Sequence, residues 1–140
     1  PALHRLREEK PQTKLTLLTE DKLAGLWEDA DHFDEILSFK QGESAYAIGT
    51  RLKKFTFDTA LILPNSFRSA LECWHANIPR RIGYAGNWRS FLLTDPISHR
   101  EESAPMRKRV KIDIEYRLIN QLEPQTFPST AHHIHQYFHI

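Results

Sequence analysis

The stretch FDTALILPNSFRSALECWH, residues 57–75, decides the fold that the sequence predicts. Residues 57–64 form a nearly continuous apolar run, which is typical of a β-strand buried on both faces. The run stops at Pro64-Asn65-Ser66. Beyond it, apolar residues recur at the spacing of one helix face; they are Phe67, Ala70, Leu71 and Trp74. A buried strand followed at once by an amphipathic helix is the repeating unit of a parallel α/β sheet.

The same alternation extends on both sides of this stretch and predicts a parallel sheet with right-handed crossovers. Further strands are predicted at residues 14–19, 33–39, 81–85 and 91–95, and further helices at 1–11, 20–30 and 44–56. After Asp95 the pattern weakens, and residues 96–111 are polar and charged, which predicts a loop. Residues 110–119 alternate with period two and predict a half-exposed strand, with a helix as the alternative. Residues 129–140 predict a final helix.

Length and composition describe an ordinary single domain. The chain has 140 residues, of which 40% are hydrophobic and 26% charged. No stretch approaches the roughly 20 apolar residues of a membrane span. A single cysteine, Cys73, excludes an internal disulfide and fits a reducing compartment. Because Cys73 lies within an apolar helical pattern and no base is identifiable near it in the sequence, we predict a buried structural thiol, with a nucleophile as the less favoured alternative.

Charge is distributed unevenly along the chain. Residues 51–89 hold seven Lys or Arg against two Asp or Glu, whereas residues 1–50 hold six against ten. The middle third is therefore a candidate surface for an anionic partner. The alternative is that these charges belong to ordinary solvated faces.

The Pro64–Ser66 corner is the first candidate site. Ligands of open parallel sheets bind beyond the carboxyl ends of the strands. Asn65 or Ser66 can cap the helix that follows, whose free N–H groups favour an anionic or hydroxyl-rich ligand. The alternative is that both residues are only caps and that Arg68 pairs with Glu72 one turn away.

Three more arginines follow closely: Arg80, Arg81 and Arg89. Guanidinium groups suit phosphate and carboxylate ligands. Ordinary surface arginines are the alternative reading.

Two further clusters carry weaker signals. His132, His133, His135 and His139 could share a helix face, but no carboxylate accompanies them, so we expect adventitious metal affinity and no functional metal site. Residues 107–111, RKRVK, could contact nucleic acid or an anionic membrane, although such runs are more often solvated loops.

Residues 57–95 resemble the signature region of the ADP-heptose:lipopolysaccharide heptosyltransferases, in particular their heptosyltransferase II branch. The resemblance extends over residues 1–97, since the opening segment is similar to the family's first helix and second strand. The matching elements are Leu63 to Ser66, Ser69 to Leu71, Ile78-Pro79, Arg81, Gly83, Leu92-Leu93 and Asp95.

The resemblance implies a GT-B glycosyltransferase, in which two Rossmann-like domains enclose a cleft. This chain would be the acceptor-side N-terminal domain: residues 1–97 form the Rossmann-like part, 98–128 an insertion, and 129–140 a helix leading toward a second domain. The implied acceptor is a phosphorylated lipopolysaccharide core at the cytoplasmic face of the inner membrane, which makes the enzyme cytoplasmic and peripheral. The donor, ADP-heptose, would bind the missing domain. Neither a cofactor, a metal nor a nucleic acid partner is implied.

The basic middle third then becomes a surface for a phosphorylated acceptor. The candidate acceptor-binding residues are Asn65, Ser66, Arg68, Arg80, Arg81 and Arg89.

Two parts of the family pattern have no counterpart in the chain. The family's general base is an aspartate just upstream of the segment that matches Pro1-Ala2-Leu3, and its first strand also lies upstream. An inverting transfer needs such a base and a site that neutralises the departing diphosphate. We therefore expect a Rossmann-like sheet lacking its first strand, no catalytic residue in this chain, and no turnover by the chain alone.

Two other functions remain open from the residues alone. One is a non-catalytic α/β module that binds anionic glycans or partners. The other is a nucleic-acid or membrane-surface binder that uses residues 107–111, whose affinity would fall steeply with salt.

Overall fold

The computed structural model describes residues 2–86, 88–99 and 110–120. These belong to two compact units, residues 1–98 and 99–140. In the described ranges, no helix is both long enough and apolar enough to cross a membrane.

Helices and strands alternate through the first unit, as the sequence predicts. The helices are α1 (Ala2–Glu9), α2 (Asp21–Ala24), α3 (Ala45–Leu52) and α4 (Phe67–His75). The strands are β1 (Thr16–Glu20), β2 (Glu35–Phe39), β3 (Thr59–Ile62), β4 (Arg80–Tyr84) and β5 (Asp95–Ile97), and a short 3₁₀ turn covers Ser90–Leu92.

All strand pairs are parallel, which confirms the predicted α/β class. β1 pairs with β2, with Thr16 opposite Glu35. β4 lies between β3 and β5, with Thr59 opposite Arg80 and Ile82 opposite Asp95. Among the described residues, no ladder joins β1 to β3, so the sheet is in two parts. In a Rossmann order the first strand lies between the second and fourth, and among the described residues no strand lies between β1 and β3.

Two adjoining apolar clusters form the core between the sheet and the helices α3 and α4. The first centres on Ile48, Leu52, Ala76 and Ile78, and the second on Ile62, Ala70, Leu92 and Leu93. Serine side chains start both helices, because Ser44 Oγ accepts from Ala47 N at 3.2 Å and Ser66 Oγ accepts from Ser69 N at 3.1 Å. The sequence pattern located both starts correctly.

The prediction that the strand before Pro64 is buried on both faces is wrong. Ile62 is buried and Ala60 half-buried against the helices, whereas Thr59 and Leu61 are exposed, Leu61 by 38%. Successive strand residues point to opposite faces, and the described helices cover only the face of Ala60 and Ile62. An apolar run therefore marks the strand without showing that both faces are covered.

The predicted apolar face of α4 is also only partly correct. Ala70 is fully buried, but Phe67 and Trp74 at the helix ends are 42% and 47% exposed. Likewise, FLLTD is not a strand throughout, since Ser90–Leu92 form the 3₁₀ turn and β5 begins at Asp95. The predicted helix at residues 20–30 is confined to the single turn of α2.

In the second unit, the predicted strand at residues 110–119 is wrong, and its alternative is correct. Lys111–Ile119 form a helix, α5. Lys111 and Glu115 form an i, i+4 ion pair at 3.7 Å, and Asn120 Nδ2 donates to Tyr116 O at 2.7 Å at the helix end. A period-2 segment needs a neighbouring strand to satisfy its backbone, whereas a helix satisfies its own. The predicted helix at 129–140 and most of the predicted loop at 96–111 lie outside the described residues.

We predict that Gly49→Ala destabilises the first unit, because α3 approaches α4 most closely there. A methyl group at position 49 would lie 2.8 Å from Glu72 O and 2.9 Å from His75 Cδ2. Separating the helices to make room should lower the free energy of unfolding by about 1–3 kcal/mol, measured by denaturant unfolding.

The matched control is Gly25→Ala. Its φ of −60° suits alanine, and no heavy atom lies within 4 Å of the added methyl. This variant should unfold like the unsubstituted protein or slightly later. Equal behaviour of the two variants would contradict close packing of α3 on α4.

Candidate functional site

The Pro64–Ser66 corner lies at the carboxyl edge of β3, as predicted. Ser66 is the N-cap of α4, and its backbone is extended, with φ −106° and ψ 147°. Ser69 Oγ donates toward Pro64 O at 3.1 Å and lies 2.9 Å from Ser66 Oγ. The corner thus gathers two hydroxyls, an amide and the N-terminus of a nine-residue helix at one strand end. Such a set can bind hydroxyl or anionic ligand groups.

Arg89 is the buried centre of this edge, with only 1% of its surface exposed. Its Nε donates to Tyr84 O at 2.9 Å, at the end of β4. Nη2 donates to Asn65 Oδ1 at 2.9 Å, and Nη1 donates to Pro64 O. One guanidinium therefore joins the ends of β3 and β4 and orients the Asn65 amide.

No carboxylate among the described residues pairs with Arg89. Burial lowers the pKa of its guanidinium, although arginine stays protonated in proteins. The buried charge is thus stabilised by carbonyl and amide oxygens that accept its hydrogen bonds.

Arg68 takes the alternative role that the sequence left open, an ion pair with Glu72. Arg68 Nε lies 2.9 Å from Glu72 Oε1, and Nη2 donates to Glu43 O. The guanidinium also lies 5.7 Å from the centre of the Phe39 ring. Its side chain remains 44% exposed at the corner, whereas that of Glu72 is 6% exposed. Burial raises the pKa of Glu72, and Arg68 opposes that shift.

Arg80 and Arg81 lie at the opposite edge of the sheet. Both stand at the amino end of β4. At ~3.3 Å per residue, Arg80 lies about 13 Å and Arg81 about 10 Å along the strand from Tyr84. Arg80 Nη2 pairs with Asp95 Oδ1 at 3.2 Å, and the pKa of Asp95 is held low by the Thr94 hydroxyl and by Arg80. Arg81 Nε donates to Leu92 O at 2.6 Å, and its Nη1 donates to Ile78 O.

The six predicted acceptor-binding residues therefore fall into two groups. The carboxyl edge holds four of them: Asn65, Ser66, Arg68 and Arg89. The amino edge holds Arg80 and Arg81. Every predicted arginine is bonded to this chain's own carbonyls or carboxylates.

Three aromatic side chains at the same edge were not among the predicted site residues. Phe67 opens α4, Trp88 lies in the loop after β4, and Phe91 lies in the 3₁₀ turn. The sequence assigned Phe67 to a buried helix face and gave no role to the other two. Their position beside Arg89 in the sequence was the signal available.

A concave region lies at the carboxyl ends of β1 and β2. It has a volume of about 300 Å³ and is lined by Glu20, Asp21, Lys22, Lys40 and Gln41. Lys22 Nζ and Glu20 Oε2 form an ion pair at 2.7 Å within it. Both parts of the sheet therefore present polar groups at their carboxyl edges.

Neither a nucleophilic cysteine nor a metal cluster is found among the described residues. Cys73 is half-buried and not fully buried as predicted. Burial nevertheless raises the pKa of its thiol to about 12, which favours the predicted structural thiol over a nucleophile. No group of three or more potential metal ligands occurs in the described ranges. The histidines from His132 to His139 and the basic run 107–111 lie mostly or wholly outside those ranges.

Residues 1–98 thus form a Rossmann-like parallel α/β fold whose carboxyl edge is polar. The sequence profile of glycosyltransferase family 9 (heptosyltransferase) matches residues 45–128, more than half of the chain. The chain therefore belongs to glycosyltransferase family 9.

Individual relatives agree with this family. The chain is 41% identical over 68 residues to lipopolysaccharide heptosyltransferase 2 of Salmonella typhimurium, covering 44% of the chain and 20% of that relative. It is 35% identical over 89 residues to lipopolysaccharide heptosyltransferase 2 of Escherichia coli, covering 59% and 26%. The solved structure of E. coli ADP-heptose LPS heptosyltransferase II superposes with a TM-score of 0.64 at 31% identity, covering 73% of the chain and 31% of that structure.

The matches thus span between about a fifth and a third of the relatives' own lengths. They confirm the predicted family resemblance and the parallel α/β fold.

We predict that Arg89→Met destabilises the first unit by about 2–4 kcal/mol. The substitution leaves the oxygens of Tyr84, Pro64 and Asn65 without their buried donor. The unfolding free energy of Arg89→Lys should lie between those of the unsubstituted protein and Arg89→Met, because one ammonium cannot reach all three acceptors at once. Denaturant unfolding measures both.

The control is Arg80→Met, which removes a guanidinium from the exposed pair with Asp95. Its unfolding midpoint should stay close to that of the unsubstituted protein. If Arg89→Met proved as mild as this control, the guanidinium would not hold the two strand ends together.

Glu72 should make stability depend on pH. Its pKa is raised above the ordinary value of 4.5 in the folded state, so the folded protein keeps a proton that the unfolded chain has already lost. Stability from this group is complete below about pH 4.5 and is lost as the pH rises through the raised pKa. Glu72→Gln removes this dependence.

The measurement is the difference in unfolding free energy between the unsubstituted protein and Glu72→Gln, followed from pH 4 upward. As the pH rises, the unfolding free energy of the unsubstituted protein should fall relative to that of Glu72→Gln. A difference that stays constant would contradict a raised pKa.

Proposed function

We propose that this chain is the acceptor-side part of a GT-B glycosyltransferase that transfers heptose from ADP-heptose to the lipopolysaccharide inner core. The observation that carries the proposal is the match to heptosyltransferase II in both sequence and fold. The chemistry of the carboxyl edge supports it, because hydroxyls, an amide and a helix N-terminus suit a phosphorylated saccharide.

In this proposal the acceptor binds at the Pro64–Ser66 corner. Asn65 and Ser66 line the cleft, and Arg68 is the exposed cation beside them. A guanidinium that is 44% exposed and paired at the surface can exchange its carboxylate partner for an acceptor phosphate. Arg89 supports the corner from beneath. Arg80 and Arg81 would contact the same acceptor only if it reached across the edge of the sheet.

The remaining chemistry is assigned to parts of the enzyme outside this chain. A second Rossmann-like domain would bind ADP-heptose and neutralise the departing diphosphate. A carboxylate upstream of α1 would take the proton from the attacking acceptor hydroxyl. The acceptor is lipid-anchored, so the enzyme would act from the cytoplasm as a peripheral protein at the inner membrane.

The test is a heptosyl-transfer assay on the complete protein that contains this chain, with ADP-heptose and a heptose-terminated, phosphorylated inner-core acceptor. Arg68→Gln should raise the KM for the acceptor about fivefold and leave the KM for ADP-heptose unchanged, because the lost cation serves the acceptor phosphate. The effect should shrink with added salt.

The charge-matched control is Lys54→Gln, which removes an exposed cation just beyond α3, away from the corner. It should leave both KM values unchanged. The KM for the acceptor in Arg80→Gln and Arg81→Gln then decides whether the amino edge contributes to acceptor binding. A folded protein that transfers no heptose would contradict the proposal and favour another sugar or a non-catalytic glycan-binding module.

A further inference from the structure

Three exposed aromatic residues lie next to the Pro64–Ser66 corner or to its anchor Arg89, and we call them the aromatic rim: Phe67, Trp88 and Phe91. Phe67 directly follows Ser66, whereas Trp88 and Phe91 flank Arg89, which bonds to Pro64 O and Asn65 Oδ1. Trp88 is 91% exposed and Phe91 73% exposed. By contrast, Tyr84, which ends the adjoining strand β4, is 1% exposed. Large apolar groups gathered on one surface are more informative than scattered ones, because they add little to folding and usually mark a contact site.

The backbone holds the rim in place. Trp88 has a φ of +58°, a left-handed conformation that is strained for a non-glycine residue. Gly86 N donates to Ser90 Oγ at 3.0 Å, which closes the loop on either side of Trp88. Arg89, the next residue, is anchored beneath the corner. The loop thus maintains a strained backbone while exposing a tryptophan ring to solvent.

Two of the rings contact each other across the corner. The centroids of Phe67 and Phe91 lie 6.2 Å apart with their planes tilted by 54°. Phe67 directly follows the cap residue Ser66, so the rings border the polar groups of the corner. Apolar faces and hydrogen-bonding groups are therefore adjacent on one surface.

We propose that the aromatic rim stacks against a sugar ring of the acceptor, with Trp88 as its principal contact. The proposal rests on the proposed function and adds a specificity-determining surface to it. A pyranose ring has an apolar C–H face and a hydroxyl perimeter, which match an aromatic face beside serine hydroxyls and an amide. Rigid aromatic side chains provide such contact area at a low cost in conformational entropy.

The surrounding charges favour a saccharide over a bilayer as the occupant. A surface that binds anionic lipid combines apolar groups with several lysines or arginines. Among the described residues at this corner, Arg89 is buried and Arg68 is partly exposed. A single partly exposed cation suits one phosphate of a saccharide and is fewer than the several cations that a membrane contact would use.

The test uses the complete protein and the same transfer assay with a soluble inner-core oligosaccharide. Trp88→Ala and Phe91→Ala should each raise the KM for the acceptor about threefold to tenfold. The KM for ADP-heptose should stay unchanged. Trp88→Phe should recover most of the loss, because an aromatic ring is retained. The matched control is Trp74→Ala, which removes an exposed tryptophan from the other end of α4 and should change neither KM.

A binding measurement makes the test independent of turnover. In a Trp27→Phe, Trp74→Phe variant, Trp88 is the only tryptophan left in this chain, and its high exposure predicts strong quenching by acrylamide. In the complete protein, any other tryptophans are replaced as well. The acceptor oligosaccharide should protect Trp88 from quenching by acrylamide, and ADP-heptose alone should not.

Three results would overturn the aromatic rim as a saccharide contact. One is an unchanged acceptor KM in Trp88→Ala and Phe91→Ala. Another is a lower unfolding temperature with an unchanged acceptor KM, which would mean that the rim packs against the rest of the protein. A third is that Trp88→Ala and Phe91→Ala lose binding to anionic vesicles but keep full affinity for the soluble oligosaccharide. That result would assign the rim to the membrane.

Failure of the proposed function would look different from failure of the rim. In that case the unsubstituted, folded protein would transfer no heptose. Protection of Trp88 by the oligosaccharide would still support the rim, and absence of protection would refute it.

Discussion

The buried guanidinium of Arg89 is the contact on which the carboxyl edge of the sheet depends. It bonds to Tyr84 O at the end of β4 and to Pro64 O and Asn65 Oδ1 beyond β3. Burying a charge is costly unless its donors are satisfied. Here the cost is offset by hydrogen bonds to oxygens at the point where two parallel strands stop. The start of α4 and the loop that carries Trp88 both continue from this junction.

The helix pair behind the sheet fixes the other side of the corner. Because Gly49 lacks a side chain, α3 can approach the backbone of α4 near Glu72. Arg68 then reaches both Glu72 on its own helix and Glu43 O in the loop before α3. The first residues of α4 are thereby held from below by Arg89 and from the side by α3, which orients both a cap serine and an aromatic ring.

The arginines show that a count of charges along the sequence does not reveal which of them are available to a partner. The excess of positive charge at residues 51–89 suggested a surface for an anionic partner. In the folded chain, its arginines are bonded to this chain's own oxygens; they are Arg51, Arg68, Arg80, Arg81 and Arg89. A guanidinium has five donors, so it can satisfy several carbonyls where loops meet strand ends. Sequence cannot distinguish this use from ligand binding, because both need the same residue type in the same loops.

The sequence by itself determined the alternation of strands and helices in residues 1–98, the approximate starts of α3 and α4, the corner after β3 and the family. These depend on local patterns: apolar runs, helical spacing and residues that favour helix starts. Only the tertiary structure decided which faces are covered. Periodicity shows which residues share a face, but the neighbour that buries it comes from elsewhere in the chain. For this reason Leu61, Phe67 and Trp74 are exposed, residues 111–119 are a helix, and Arg89 is buried beneath the site that its sequence position had placed at the surface.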